Sequence, residues 1–281
     1  MSLDYQSSMI NSPHQKTKKV IVFTDLDGTL LNHDNYSYDS ALPALHFLKT
    51  NEIPLILASS KTAAEIIKLR KELGFQHCEA IVENGAGILE PDDERQSDAP
   101  THQKLKEILD ALPKDLRAAF QGFSDWSVRD VIERTGLSEN GAMLAKQRQF
   151  SEPGLWSGNN KQYLAFKNAL EGKGVSIQQG GRFTTLSFGN DKSDQVRTII
   201  NRYETTGTKV YSIALGDAPN DIAMLKSADL GIVIPNPANA GVLDQANAEI
   251  SNVLHADEPG SLGWGKSLLK VLSELNAEDI E

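Results

Sequence analysis

Asp25 and Asp27 stand one residue apart where the apolar run Val20–Phe23 ends, and Gly28 and Thr29 follow them. A continuous β-branched run of this kind reads as a strand buried on both faces. Acids at the carboxyl end of such a strand lie where open α/β sheets place their ligand crevice. Side chains at i and i+2 leave a strand on one side, so both carboxylates can meet one substrate or one metal ion. Gly28 lets the main chain turn sharply against a bound group. A solvated acidic turn accounts for the same residues, since Asp and Gly are ordinary turn formers. Spacing alone leaves these two alternatives even.

Three further segments carry chemistry. Ser59-Ser60-Lys61 closes the apolar run Pro54–Ala58 and opens a helix, so its hydroxyls and amides form either a phosphate site or a simple cap. Lys192 precedes a helix and, taken alone, is a solvated lysine. Gly216-Asp217-Ala218-Pro219-Asn220-Asp221 ends a strand with acids at i and i+4 and Asn220 between them, which by itself describes a capped helix start. Together the segments are more specific than any one of them. Acidic oxygens of Asp25, Asp27 and Asp217 at one point require a cation. Hard oxygen ligands with room for water and phosphate select Mg²⁺ over zinc, and no His/Cys cluster competes. Ser59 and Lys192 add donors for a phosphoryl group. Nucleophile, acid/base, metal and charge clamp are the equipment for phosphoryl transfer through a carboxylate.

The elements that must position these groups alternate between strand and helix at both ends of the chain. Strands are expected at 20–23, 54–58, 80–83, 209–215 and 230–234, with helices at 40–50, 62–73, 194–203 and 219–226. Thr62 and Glu65 complete a capping-box pattern at the second helix. Such alternation predicts an α/β fold with a mostly parallel, Rossmann-like sheet. The middle differs. Helical stretches at 103–112, 128–134, 139–147 and 160–170 precede strand-like runs at 175–179 and 183–188. This predicts an α+β insertion over residues 87–187 between two parts of one core at 19–86 and 188–281. The turn Asn84–Gly87 and Gly189-Asn190 are candidate hinges.

Composition sets the bounds. Of 281 residues, 40% are hydrophobic and 23% charged, as in a water-soluble globular protein. The net charge of −10 argues against nucleic-acid binding and against anionic membranes, so an anionic substrate must be drawn by local cations or a metal. The single cysteine, Cys78, rules out an intrachain disulfide framework and reads as a small buried hydrophobe. Residues 1–18 are polar, carry no signal-peptide core and read as a disordered extension, so a cytoplasmic location is expected.

Asp25-Leu26-Asp27-Gly28-Thr29, Ser59, Lys192 and Gly216–Asp221 together resemble the haloacid dehalogenase superfamily of phosphatases. The insertion between the second and third motifs is similar to its Cof-type, C2B-capped branch. Ser59-Ser60-Lys61-Thr62, Glu83-Asn84-Gly85-Ala86, Thr135-Gly136-Leu137-Ser138, Phe150-Ser151-Glu152-Pro153 and Gly180-Gly181-Arg182-Phe183 resemble the mannosyl-3-phosphoglycerate phosphatases more narrowly. The resemblance implies that Asp25 attacks phosphorus and that Asp27 protonates the leaving alkoxide, then activates water. It implies Mg²⁺ held by Asp25, Asp217 and the Asp27 main-chain carbonyl, with Asp221 as a ligand or behind one. Ser59, with Ser60 beside it, and Lys192 would hold the phosphoryl oxygens, and Asn220 would reach the phosphate or nearby substrate atoms. The implied substrate is a small phosphorylated sugar-glycerate, with other sugar phosphates, including sucrose-6-phosphate, as the alternative. A phosphomutase or a non-catalytic binding protein on the same scaffold ranks below both.

The cap is expected to choose the substrate. Arg182 is a candidate partner for a glycerate carboxylate, and Glu152 a candidate acceptor for sugar hydroxyls. Trp126, Trp156 and Trp264 are either sugar-stacking faces or aromatics of the domain cores.

Overall fold

Pairing of the buried apolar runs builds the larger of two sheets in the computed structural model, which describes residues 19–94, 99–180, 182–204, 209–239 and 241–278. The extension expected over residues 1–18 lies outside them. In chain order the strands are β1 (Lys19–Thr24), β2 (Leu55–Ala58), β3 (Ala80–Val82), β4 (Gly87–Leu89), β5 (Phe120–Gly122), β6 (Glu152–Trp156), β7 (Ser176–Gly180), β8 (Phe183–Ser187), β9 (Val210–Gly216), β10 (Leu230–Val233) and β11 (Val253–His255). The larger sheet runs β11-β10-β9-β1-β2-β3-β4. Its pairs are parallel except β3 with β4. Ile21, Val22 and Phe23 are fully buried, as a strand covered on both faces requires.

β1 lies between β9 and β2, so chain connections leave it in opposite directions across the sheet. That is a switch point, where crossovers diverge and leave a crevice at the strand ends. Thr24 pairs with Leu215, and Asp25 N–H donates to the Leu215 carbonyl at 2.9 Å. The register therefore delivers Asp25 and Asp217 side by side, with Ser59 after the neighbouring β2.

The smaller sheet, β5-β6-β8-β7, is antiparallel throughout. Helices Pro100–Asp110, Lys114–Ala119 and Asn160–Glu171 accompany it, and Phe120, Phe166, Leu170 and Leu186 form its buried core. A second cluster of Phe123, Trp126, Val131 and Ala142 packs under helices Val128–Thr135 and Glu139–Ala145. One expectation needs correction. Gly87–Leu89, assigned above to the insertion, is the edge strand of the larger sheet, because its main chain hairpins back onto Ala80–Val82. Of the two alternatives for the three tryptophans, the structure has them as aromatics of the domain cores. Trp126 packs on Phe123 at 5.4 Å, Trp156 on Phe166 at 4.6 Å, and Trp264 is fully buried with its indole N–H donating to Thr24 Oγ1 at 2.9 Å.

Candidate active site

Gly28 explains why the chain after β1 can close on itself. Its φ is +91°, and a Cβ there would lie 2.8 Å from Asp217 Oδ2. Only glycine combines that backbone with that approach. Thr29, one residue on, donates its hydroxyl to Asp217 Oδ1 at 2.5 Å, and Asn236 Nδ2 donates to Oδ2 at 2.6 Å. Asp221 lies in the 3₁₀ turn Pro219–Asp221 that follows β9, and its Oδ2 accepts from the amides of Asp217 and Ala218.

Lys192 is the first residue of helix Lys192–Tyr203. Asp191 caps that helix, accepting from the Asp194 amide, while the Asp194 side chain returns a bond to the Asp191 amide. The cap aims the first turn at the end of β1. Lys192 Nζ sits 2.7 Å from Asp25 Oδ1 and 2.6 Å from Asp221 Oδ1, and its side chain is 2% exposed. Burial alone would lower the lysine's pKa, but Asp221 and Asp25 outweigh it and keep the ammonium charged. Burial raises Asp25 well above the usual carboxylate range, and repulsion from Asp221 adds to it against the pull of Lys192. Burial likewise raises Asp217, opposed by the Thr29 and Asn236 bonds. One lysine shared by two carboxylates, with a third beside them, leaves excess negative charge. Ligand oxygens of Asp25, Asp217 and Asp221 all lie within 4.8 Å of one another. An all-oxygen donor set with a charge deficit fits a hard divalent cation.

Asp27 faces the other way. Its Oδ2 accepts from Lys61 Nζ at 2.8 Å, while Oδ1 is buried without a partner among the described residues. Lys61 is held charged above its ordinary range, Asp27 outweighing the cost of burial. The Asp27 carboxylate is outside the three-acid group. Ser59 is buried at the end of β2, where its hydroxyl accepts from the Lys61 amide at 3.2 Å.

A cleft of about 380 Å³ opens between the two sheets, lined by Asp27, Ser60, Lys61, Asn84, Asn220 and Arg182 among others. Asn220 Nδ2 reaches Asn84 Oδ1 at 3.5 Å. Arg182 is exposed and donates to the Arg134 and Thr135 carbonyls at 2.9 and 3.3 Å. Glu152 is not in the cleft. It is fully buried within the cap, accepting from the Ser124 amide and hydroxyl and paired with His102 Nε2 at 2.5 Å. With both oxygens engaged, it holds the cap together instead of meeting a sugar. Arg148 and Tyr36 line the cleft without having been singled out in the sequence. Arg148 NH1 donates to the Ser60 carbonyl at 3.0 Å. No periodicity or capping pattern marks such a residue, because its role comes from a contact between domains. Lys61 and Asp27 each lay within a quoted motif, but their pairing across the site was not expected from the sequence.

Comparison with known proteins is consistent across sequence and structure. The family model for haloacid dehalogenase-like hydrolases matches residues 22–254. A protein of Persephonella marina named glucosyl-3-phosphoglycerate/mannosyl-3-phosphoglycerate phosphatase is 33% identical over 270 residues, covering 91% of this chain and 98% of its own. One of Methanococcoides burtonii with the same name is 33% identical over 273 residues, covering 92% and 99%. Among solved structures, the sucrose-phosphatase of Synechocystis sp., in complex with sucrose and phosphate, superposes with a TM-score of 0.58 at 15% identity, covering 92% of this chain and 98% of that one. A haloacid dehalogenase-like hydrolase from Bacteroides thetaiotaomicron reaches 0.62 at 16% identity, covering 90% and 100%. At those identities the structural likeness concerns the fold.

Proposed function

The chain belongs to the haloacid dehalogenase-like hydrolases, and from that premise we propose that it is a phosphatase acting on a glycosyl-3-phosphoglycerate, with mannose or glucose as the sugar. The relatives that match nearly end to end carry that activity in their names. The observation that carries the reading is the charge of the cleft. Lys61, Arg148 and Arg182 line it against the carboxylates of Asp27 and Glu65, leaving the cations in excess. A substrate bearing a second anion, the glycerate carboxylate, gives those cations a partner. A neutral sugar such as the sucrose moiety of sucrose-6-phosphate does not.

In this mechanism an Asp25 oxygen attacks phosphorus in line, forming the aspartyl-phosphate as the P–O bond to the glycerate oxygen breaks. Asp27 gives its proton to that leaving oxygen, and the partnerless Oδ1 is the atom free to hold it. The Asp27 carboxylate then takes a proton from water, whose oxygen attacks the same phosphorus and returns Asp25 and inorganic phosphate. Lys192 and Ser59 hold the non-bridging oxygens, and Asn220 borders the substrate. Asp25, Asp217, Asp221 and the Asp27 carbonyl would hold Mg²⁺. Bound there, the ion supplies positive charge that offsets repulsion between an anionic nucleophile and a phosphate dianion.

A substrate panel tests the proposal. Mannosyl- and glucosyl-3-phosphoglycerate are expected to be turned over with kcat/KM at least about 100-fold above hexose phosphates and sucrose-6-phosphate. Asp25→Asn is expected to lose roughly 10³-fold or more in phosphate release. Equal turnover of simple hexose phosphates would overturn the substrate assignment. Full activity of Asp25→Asn would overturn the mechanism.

A further inference from the structure

We propose that Glu83 is a positioning residue of this site: from the core, it holds the cap segment that carries Arg148 over the Ser59–Thr62 turn. The inference rests on the phosphatase reading above. Glu83 is 2% exposed, and no Lys or Arg forms an ion pair with it among the described residues. Its carboxylate is met by successive amides of one cap segment instead. Oε1 accepts from Gln149 N–H at 2.8 Å, and Oε2 accepts from Phe150 N–H at 3.2 Å and Ser151 N–H at 2.8 Å. The Ser151 hydroxyl adds a bond at 2.6 Å. Bonds to an ionised acceptor are about twice as strong as neutral ones, so this is a firm grip across the domain boundary.

The gripped segment begins one residue after Arg148. The Arg148 guanidinium donates to the Ser60 carbonyl, and its Nε is buried without a partner among the described residues. Four residues earlier, the Leu144 carbonyl accepts from Thr62 Oγ1 at 3.0 Å. The cap therefore touches the Ser59–Thr62 turn at two points, Ser60 and Thr62, both from residues that precede the clamped segment.

The main chain of Glu83 completes the link. Glu83 N–H donates to the Lys61 carbonyl and Asn84 N–H to the Ser59 carbonyl, each at 2.9 Å. Glu83, Asn84 and Gly85 have φ of +52°, +58° and +95°, a run of left-handed residues that non-glycines seldom adopt. At Gly85 a Cβ would lie 2.0 Å from the carbonyl carbon of Asp191, and Gln195 Nε2 donates to the Gly85 carbonyl at 2.9 Å. The turn is thus a bracket. Its amides hold the loop of Ser59 and Lys61, its glycine abuts the helix that begins with Lys192, and its carboxylate holds the segment of Arg148. Glu83 acts through these groups and touches no substrate.

Glu83→Gln keeps the shape but turns an amide NH₂ toward N–H donors. With glycosyl-3-phosphoglycerate it is expected to raise KM about tenfold or more, with kcat for the small substrate p-nitrophenyl phosphate held within about twofold. Glu83→Asp recovers part of the KM. On an Arg148→Ala background, Glu83→Gln adds little, because both changes remove the same contact. Hydrogen exchange at the amides of residues 149–151 is expected to be slow in the wild type and fast in Glu83→Gln. An unchanged KM, fully additive effects, or equal loss of kcat on both substrates would overturn the role. If Glu83→Gln does not fold, Ser151→Ala removes one bond of the clamp, and a smaller shift of KM in the same direction is required. Should the wild type cleave p-nitrophenyl phosphate but no glycosyl-3-phosphoglycerate, the substrate reading fails. The exchange data then decide the clamp alone, unprotected wild-type amides refuting it.

Discussion

Asp27 follows Asp25 by two residues yet answers to a different counter-charge. Asp25 shares Lys192 with Asp221 deep in the site, whereas Asp27 pairs with Lys61 at the edge of the cleft. Two chemically identical side chains are thereby split into a buried carboxylate and a half-exposed one, which the mechanism proposed above uses as nucleophile and acid/base. That division predicts how Asp27→Asn behaves. Turnover of the alkyl phosphate is expected to fall by about 10²–10⁴. With p-nitrophenyl phosphate, whose leaving group needs no proton, Asp25 should still be phosphorylated. A stopped-flow burst of nitrophenolate approaching one equivalent per enzyme, followed by slow turnover, is the expected trace. Absence of the burst, with both substrates equally impaired, would assign Asp27 to another role.

Single elements carry the stability that the site depends on. Helix Ala63–Leu73 begins with Thr62 and Glu65 in the reciprocal bonds their spacing predicts, because a capping box involves only neighbours along the chain. The cap's edge strand β5 relies on contacts that are less local. Arg117 pairs with Asp125 at 2.6 Å and with Asp110 at 2.9 Å, and Gly122 N–H donates to Asp125. Burial disfavours the Asp125 charge, but Arg117 and Gly122 outweigh it and hold its carboxyl below the usual range. A depressed folded-state pKa stabilises the fold above the unfolded value and ceases to do so as pH falls through the folded one. Asp125→Asn is therefore expected to lower Tm by about 2–4 °C at pH 7, a gap that closes progressively below about pH 4. Thermal melts followed by circular dichroism across that range check it, and a gap that persists in acid would refute it.

Across the whole molecule, a chain of net charge −10 places Lys61, Arg148 and Arg182 in a cleft between its sheets. Beneath them it keeps three carboxylates against one ammonium. The excess negative charge costs stability unless a cation shares the site. Chelation with EDTA is expected to abolish phosphate release, and Mg²⁺ to restore it. Mg²⁺ at 100 times its Kd should also stabilise the fold by about 2.7 kcal/mol, seen as a rise in Tm that Asp217→Asn removes. Undiminished activity in chelator, or an equal shift in Asp217→Asn, would sink the metal site. Among the described residues no helix is long and apolar enough to cross a membrane.

Strand β1, the acid pair after it and the capped helix after Ser59 could be read from the chain alone, because each depends on periodicity or on bonds between near neighbours. β5 and β6 could not. Gly122, Pro153 and Gly154 weaken any strand signal, and pairing with β8 is what makes β6 a strand. Lys192 shows the same limit at the site. Its place before a helix was legible, but 167 residues separate it from Asp25, and only the sheet register brings the two to 2.7 Å. Glu152 went the other way, from a candidate sugar contact to a buried strut, because burial is a property of packing that a loop carboxylate does not announce. Local pattern along the chain marks the residues whose chemistry suits phosphoryl transfer and the parallel sheet that carries them. The tertiary structure decided which of them face one another, which cations line the cleft, and that Glu83 ties the cap to both. Local composition sets what a side chain can do, whereas its pKa, partner and exposure come from groups that meet only when the chain is folded.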